Sequence, residues 1–268
     1  MFMQLTTYLS NGLMGAVAAL FVGAPIVRGA HQPVGPASAK AVAVTSVASA
    51  TAKRAPESVS GKITEAVRAF SNAVRPLSHP KALETAFSAY YAFKSAHPEQ
   101  VRKPYLYFVD YGQPSTKARG YVFDMNALRI VEGPFTVAHG RGSSTSQYGV
   151  PTRFSNAHGS AASSLGLYVA QATYGFTGHA GGGVYRSMGL RLRGVSGGYN
   201  SNALARGVVA HGAPYVTSSR AGRSQGCPAM EQGRAQRLLP KLANGGMVFL
   251  FAPNSGWMGN DPWVAAGN

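Results

Sequence analysis

A chain of 268 residues, 45% hydrophobic and only 13% charged, is long enough to bury a sizeable core and too apolar to be a disordered protein. Its 25 Lys and Arg against 9 Asp and Glu give a formal charge of +16, which draws it toward polyanions, an anionic cell envelope among them. The cations are scattered and no base-reading module occurs, so nucleic acid is set aside as a partner.

The first apolar run, Leu13 to Val22 (LMGAVAALFV), has the length of a secretory signal core and is short for a bilayer span. It predicts an exported protein of the periplasm, cell envelope or exterior, with residues 1–30 as the leader and cleavage near Ala24 or Ala30. Met1 to Gly12 carries no Lys or Arg, so a retained N-terminal membrane anchor and an ordinary buried helix are the competing readings. Residues 31–61, rich in Ala, Ser, Val and Pro and without aromatics, read as a linker.

Residues 62–100 follow a helical period. In KITEAVRAFSNAVRPL and ALETAFSAYYAFKSAH apolar residues recur at three and four positions, which predicts two amphipathic helices, one broken at Pro76 and the other ended before Pro98. Val67, Phe70, Val74, Phe87, Tyr91 and Phe93 are assigned to packing.

After Pro104 the period changes to two. YLYFVDYG, GYVFDMN, RIVEGPFTVAHG, SLGLYVAQATYG, MGLRLRGV, RGVVAHGAPYV and GMVFLFAP are short aromatic or β-branched runs parted by Gly, Pro, Asn and Ser. They predict a mainly β domain over residues 101–254, a sandwich or barrel of about seven strands, followed by a tail over 255–268. One helix is expected inside it, PAMEQGRAQRLLPKLA, burying Met230, Leu238, Leu239 and Leu242.

The single cysteine, Cys227, precedes that helix and follows His211 by sixteen positions. It is open to three readings: a nucleophile, a metal ligand, or a small apolar filler. With Pro228 at the first helical position, the helix N-terminus and a nearby imidazole would favour a thiolate, with an apparent pKa below the ~8.5 of a free cysteine. The amides of Gly226 and Cys227 could serve a developing oxyanion. A metal would draw on His139, His158, His179 and His211, but no pair has zinc-site spacing, so neither metal nor cofactor is expected. His139, His158 and His179 themselves read as loop or strand-end residues.

The segment VVAHGAPYV…GRSQGCPAM resembles the signature of the murein L,D-transpeptidases, the YkuD-type cysteine family. The likeness extends upstream to FTVAHGRGS, RFSN and SSLGLYVAQATYG and downstream to GGMVFLFAP, about Tyr105 to Pro253. The resemblance implies Cys227 as nucleophile, His211 as its base and the Gly212 carbonyl as the group orienting that base. Ser224 would shape the nucleophile loop, and Gly226 with Cys227 would supply the oxyanion donors. The implied partners are peptidoglycan stem peptides. Cys227 would attack the bond before a terminal D-alanine and pass the acyl group to a second stem as a 3→3 cross-link; transfer to water would make it an L,D-carboxypeptidase.

The sequence departs from the family pattern at Gln225, where commoner members carry histidine, at Pro228-Ala229, and in a short loop between His211 and Ser224. Gln225 can hydrogen-bond but cannot take a proton. Arg223, Gln225 and Tyr215 are the expected substrate contacts, since Arg binds a carboxylate through paired hydrogen bonds. Arg220, Arg153, Tyr148 and Tyr168 read as surface or packing residues. An endopeptidase with the same dyad and a non-catalytic basic wall-binding module are the alternatives. The oligomeric state is not readable.

Overall fold

The computed structural model describes residues 58–266, so the expected signal core and nearly all of the linker segment lie outside the described residues. The first helix, α1 (Val59–Ser71), starts where Ser58 Oγ accepts the Gly61 N–H at 3.0 Å, and it buries Ile63, Ala66 and Phe70. The second, α2 (Ala82–Ala96), is buried over most of its length, including Leu83, Phe87 and Tyr90. It stops before Pro98, because a proline disfavours helical backbone at the residue ahead of it. Phe70 joins the two helices to the domain, its ring 5.5 Å from Phe87 and 4.6 Å from Phe123.

The strands follow in order as β1 (Tyr105–Asp110), β2 (Gly120–Asp124), β3 (Arg129–Phe135), β4 (His139–Gly140), β5 (Gly166–Ala180), β6 (Gly183–Gly194), β7 (Val209–Gly212), β8 (Arg223–Ser224) and β9 (Ala229–Met230). Helix α3 (Gln232–Leu242), strand β10 (Met247–Phe251) and helices α4 (Ser255–Asn260) and α5 (Pro262–Ala265) complete the chain. Eight strands form one mixed sheet in the order β3-β2-β1-β10-β5-β6-β7-β9, and β4 pairs with β8 in a separate two-stranded ribbon. The chain is therefore strand-rich with few helices, as the period-two runs require.

The core strands β1 and β10 run parallel, with Phe108 opposite Phe249, and both are buried along almost their whole length. Burial on both faces corrects the period-two reading for these two strands, since YLYFVD up to its terminal Asp110 and MVFLF are continuous apolar runs rather than alternating ones. Strands β5 and β6 form a long hairpin closed between Ala180 and Gly183, whose outer half is largely solvent-facing. Its inner half joins β10 on one side and β7 on the other.

The structure differs from the sequence expectation just after the cysteine. Helix α3 begins at Gln232, not at Pro228. Ala229 and Met230 instead pair in parallel with His211 and Gly212, so the segment after Cys227 belongs to the sheet. Four buried residues of α3, Ala235, Leu238, Leu239 and Leu242, form one face at helical spacing. Near the C-terminus Asp261 accepts hydrogen bonds from the Trp263 and Val264 amides and from Trp257 Nε1, which ties α4 and α5 to each other.

Candidate active site

Strand β7 is the scaffold of the site. It sits between β6, where Gly189 faces His211, and β9, where Ala229 faces His211. Continuing the β7–β9 register back by two residues sets Cys227 beside Val209, and the Val209 N–H donates to the sulfur. The Cys227 thiol also lies 4.0 Å from the Gly207 carbonyl oxygen. His211 and Cys227 are thus held at one edge of the sheet by main-chain pairing.

His211 is 7% exposed. Its Nδ1 is 3.0 Å from the Gly212 carbonyl oxygen, so Nδ1 carries the proton and Nε2 is the basic nitrogen of the neutral ring. Phe176 and Tyr215 approach the ring edge-on, with centroids at 5.5 and 6.5 Å. Burial lowers the His211 pKa from its ordinary value, and the Gly212 contact offsets part of that. Among the described residues no hydrogen bond joins His211 to Cys227.

The thiol departs from the sequence expectation as well. Burial raises its pKa above the ordinary value, and the Val209 N–H and the Arg206 charge only partly oppose this. Helix α3 gives no offset, since its first residue is five positions past Cys227, beyond the one-turn reach of a helix terminus. Both shifts favour the neutral forms of the pair.

Ser224 Oγ donates to the Cys227 carbonyl at 2.7 Å and accepts the Gly226 N–H at 3.1 Å. The Gly226 amide is therefore already engaged and is not free to serve an oxyanion, whereas no hydrogen bond among the described residues takes up the Cys227 N–H. Gly226 has φ +124, and a Cβ there would stand 2.8 Å from the Ala162 carbonyl oxygen, so only glycine fits.

The other expected residues spread around this centre. Arg223 is exposed on β8 and donates to the Ser144 carbonyl at 3.2 Å. Gln225 is exposed and accepts from Arg141 Nε at 2.9 Å. Tyr215 shares a small apolar cluster with Ala138, Ala213 and Ala229, and burial raises its hydroxyl pKa. Arg220 stacks over Tyr148, its guanidinium carbon 5.7 Å from the ring centroid. Arg153 lines a different cleft, of about 940 Å³, with Phe154, Tyr199 and Trp257. Tyr168 is buried with its hydroxyl on the Ser164 carbonyl, while His158 and His179 are exposed.

With this geometry in place, the comparison with known families is decisive: the model of the L,D-transpeptidase catalytic domain matches residues 75–251. The chain belongs to that family. Among solved structures, an L,D-transpeptidase from Mycobacterium smegmatis is 14% identical, with a TM-score of 0.33 over 56% of this chain and 59% of that one. The L,D-transpeptidase from Stackebrandtia nassauensis is 15% identical, with a TM-score of 0.35 over 66% and 69% of the two chains. One from Xylanimonas cellulosilytica gives 12% identity and a TM-score of 0.32 over 56% and 61%. The match thus spans less than two thirds of the M. smegmatis and X. cellulosilytica chains. No curated protein matches this sequence.

Several residues of this L,D-transpeptidase catalytic domain carry no sequence signal and emerge only in three dimensions. Arg206 donates to the carbonyls of Ser155 and Ala162 and to the hydroxyls of Ser160 and Ser164, clamping the loop behind Gly226. His139, expected as a bland strand-end residue, is fully buried with Nδ1 2.9 Å from Arg119 Nη2. Burial, then the charges of Arg119 and Arg223, push its pKa down to about 3. Arg119 is itself fully buried, donating to the Val137 and Gln113 carbonyls, and burial pushes its pKa down to about 10, so it stays charged at neutral pH.

Proposed function

We propose that this chain is an exported peptidoglycan L,D-transpeptidase in which Cys227 is the nucleophile and His211 its base. The observation that carries the reading is the His211 Nδ1 contact with Gly212 at 3.0 Å, on a strand paired with the segment after the chain's only thiol. It leaves a basic Nε2 on a buried, neutral ring.

In the first step the Cys227 sulfur bonds to the carbonyl carbon before the terminal D-alanine of a tetrapeptide stem, and the thiol proton passes to His211 Nε2. The carbonyl oxygen takes the negative charge opposite the Cys227 N–H. Collapse breaks the carbon–nitrogen bond, His211 returns its proton to the departing D-alanine amine, and a thioester remains. The side-chain amine of a second stem then attacks the thioester and gives its proton to His211. The sulfur leaves and is reprotonated, and a 3→3 cross-link results. A pair that is neutral at rest suits this sequence, because charge appears only during attack. The charge of +16 keeps the enzyme on an anionic envelope, in line with the expected export.

Incubation with disaccharide-tetrapeptide, followed by mass spectrometry, tests the reading. Release of D-alanine with formation of a dimer is expected from the native chain and not from Cys227→Ala or His211→Ala. D-Alanine release without any dimer would assign an L,D-carboxypeptidase instead. Full activity in both variants would overturn the proposal.

A further inference from the structure

We infer that Ser163 is a positioning residue for the oxyanion site, fixing the direction of the Gly226–Cys227 peptide. This rests on the reading of Cys227 as an acyl-accepting nucleophile. Ser163 is fully buried, and its Oγ accepts the Gly140 N–H at 3.0 Å and donates to the Gly226 carbonyl at 3.1 Å. With the Gly140 amide on one lone pair, the hydroxyl proton faces the Gly226 carbonyl, and the Tyr111 side chain is a further hydrogen-bond partner of Ser163. The Ser163 N–H is itself held by Ser143 Oγ at 2.9 Å, so the serine is anchored at both ends.

The consequence follows from peptide planarity. In a trans peptide the carbonyl and the next N–H point in opposite directions. With the Gly226 oxygen drawn toward Ser163, the Cys227 N–H projects the other way, and it has no hydrogen-bond partner among the described residues. Gly226 makes such an anchor necessary. Glycine allows the peptide to flip at little steric cost, and its φ of +124 lies where other residues rarely go. A flipped peptide would turn a carbonyl toward the developing oxyanion and repel it. Gly140 contributes by proximity, since a Cβ on it would stand 2.8 Å from both Gly226 Cα and Ser163 N.

The test separates orientation of the amide from reactivity of the sulfur. Alkylation of Cys227 by iodoacetamide develops no oxyanion, whereas acylation by p-nitrophenyl acetate or by disaccharide-tetrapeptide does. In the full chain, Ser163→Ala is expected to slow acylation at least about tenfold, toward the 10²–10³ seen when an oxyanion donor is lost outright, with the alkylation rate unchanged. Ser163→Thr, which keeps the hydroxyl, should recover acylation. If Ser163→Ala slows both reactions alike, or leaves acylation intact, the inference is overturned. A native chain that reacts with the ester but not the tetrapeptide would remove the stem-peptide reading and leave the Ser163 comparison standing. A native chain acylated by neither would overturn both.

Discussion

The imidazole of His211 is pinned by its neighbour: Nδ1 sits 3.0 Å from the carbonyl oxygen of Gly212, the next residue of the same strand. Among the described residues no carboxylate orients the ring, so none of them reinforces its basicity with a negative charge. Burial then dominates, lowering the histidine and raising the cysteine.

The pH profile is the first expectation. The base must be unprotonated, so kcat/KM should rise with pH through a limb lying below the ~6.5 of an unperturbed histidine. Alkylation of Cys227 should instead be half-maximal above the ~8.5 of a free cysteine. An alkylation midpoint near 6 would mean a resting thiolate and would rule out the neutral pair.

Arg206 should tune that midpoint. Its charge stabilises the thiolate while its four hydrogen bonds hold the loop behind Gly226. In Arg206→Met the alkylation midpoint is expected to move to higher pH. Four acceptors also lose their donor, with a cost of about 1–3 kcal/mol for each group left buried and unsatisfied. Urea unfolding measures the stability loss, and the alkylation profile measures the shift.

Acid stability should report on His139. Its pKa is depressed to about 3 in the folded chain and returns to ~6.5 on unfolding, so the unfolded state binds the extra proton between those values. Stability from this group is complete above pH 6.5 and falls by about 1.4 kcal/mol for each pH unit as the pH drops toward 3. Arg119→Met removes the donor to His139 Nδ1 and leaves the Val137 and Gln113 carbonyls short of a partner. That variant should be destabilised by several kcal/mol, with a shallower acid limb in urea midpoints taken from pH 7 to 4.

Gly226→Ala should separate folding from catalysis less cleanly. The side chain would meet the Ala162 carbonyl oxygen at 2.8 Å, in backbone that costs a non-glycine residue about 1–3 kcal/mol. We expect both a lower urea midpoint and a loss of acyl transfer of at least about tenfold, because the Cys227 amide moves with the loop.

Much of the fold was legible in the sequence because the main strands write their burial directly into it. YLYFVD, GYVFD and MVFLF are apolar apart from the terminal Asp110 and Asp124, and they become the buried β1, β2 and β10. The proposed site draws on sequence signals only where its chemistry would demand a rare residue, as with the lone Cys227 and the His-Gly and Gly-Cys pairs. What surrounds them was not. Ser163, Arg206 and Arg119 meet Gly226, Ala162 and His139 across 63, 44 and 20 positions, and a serine or arginine carries no mark of the group it will meet. The start of α3 was misplaced because Pro228 suits a first helical turn equally well, and nothing local reveals that Ala229 pairs with His211. Gln225, expected at the substrate, is exposed and accepts from Arg141 Nε.

The most direct measurement is the mass of the intact enzyme, quenched with acid during turnover of disaccharide-tetrapeptide. The account predicts a covalent adduct equal to the stem without its D-alanine, mapped by peptide digestion to Cys227 and absent in Cys227→Ala. Turnover of the same substrate by Cys227→Ala at the native rate, or an adduct on any other residue, would contradict it.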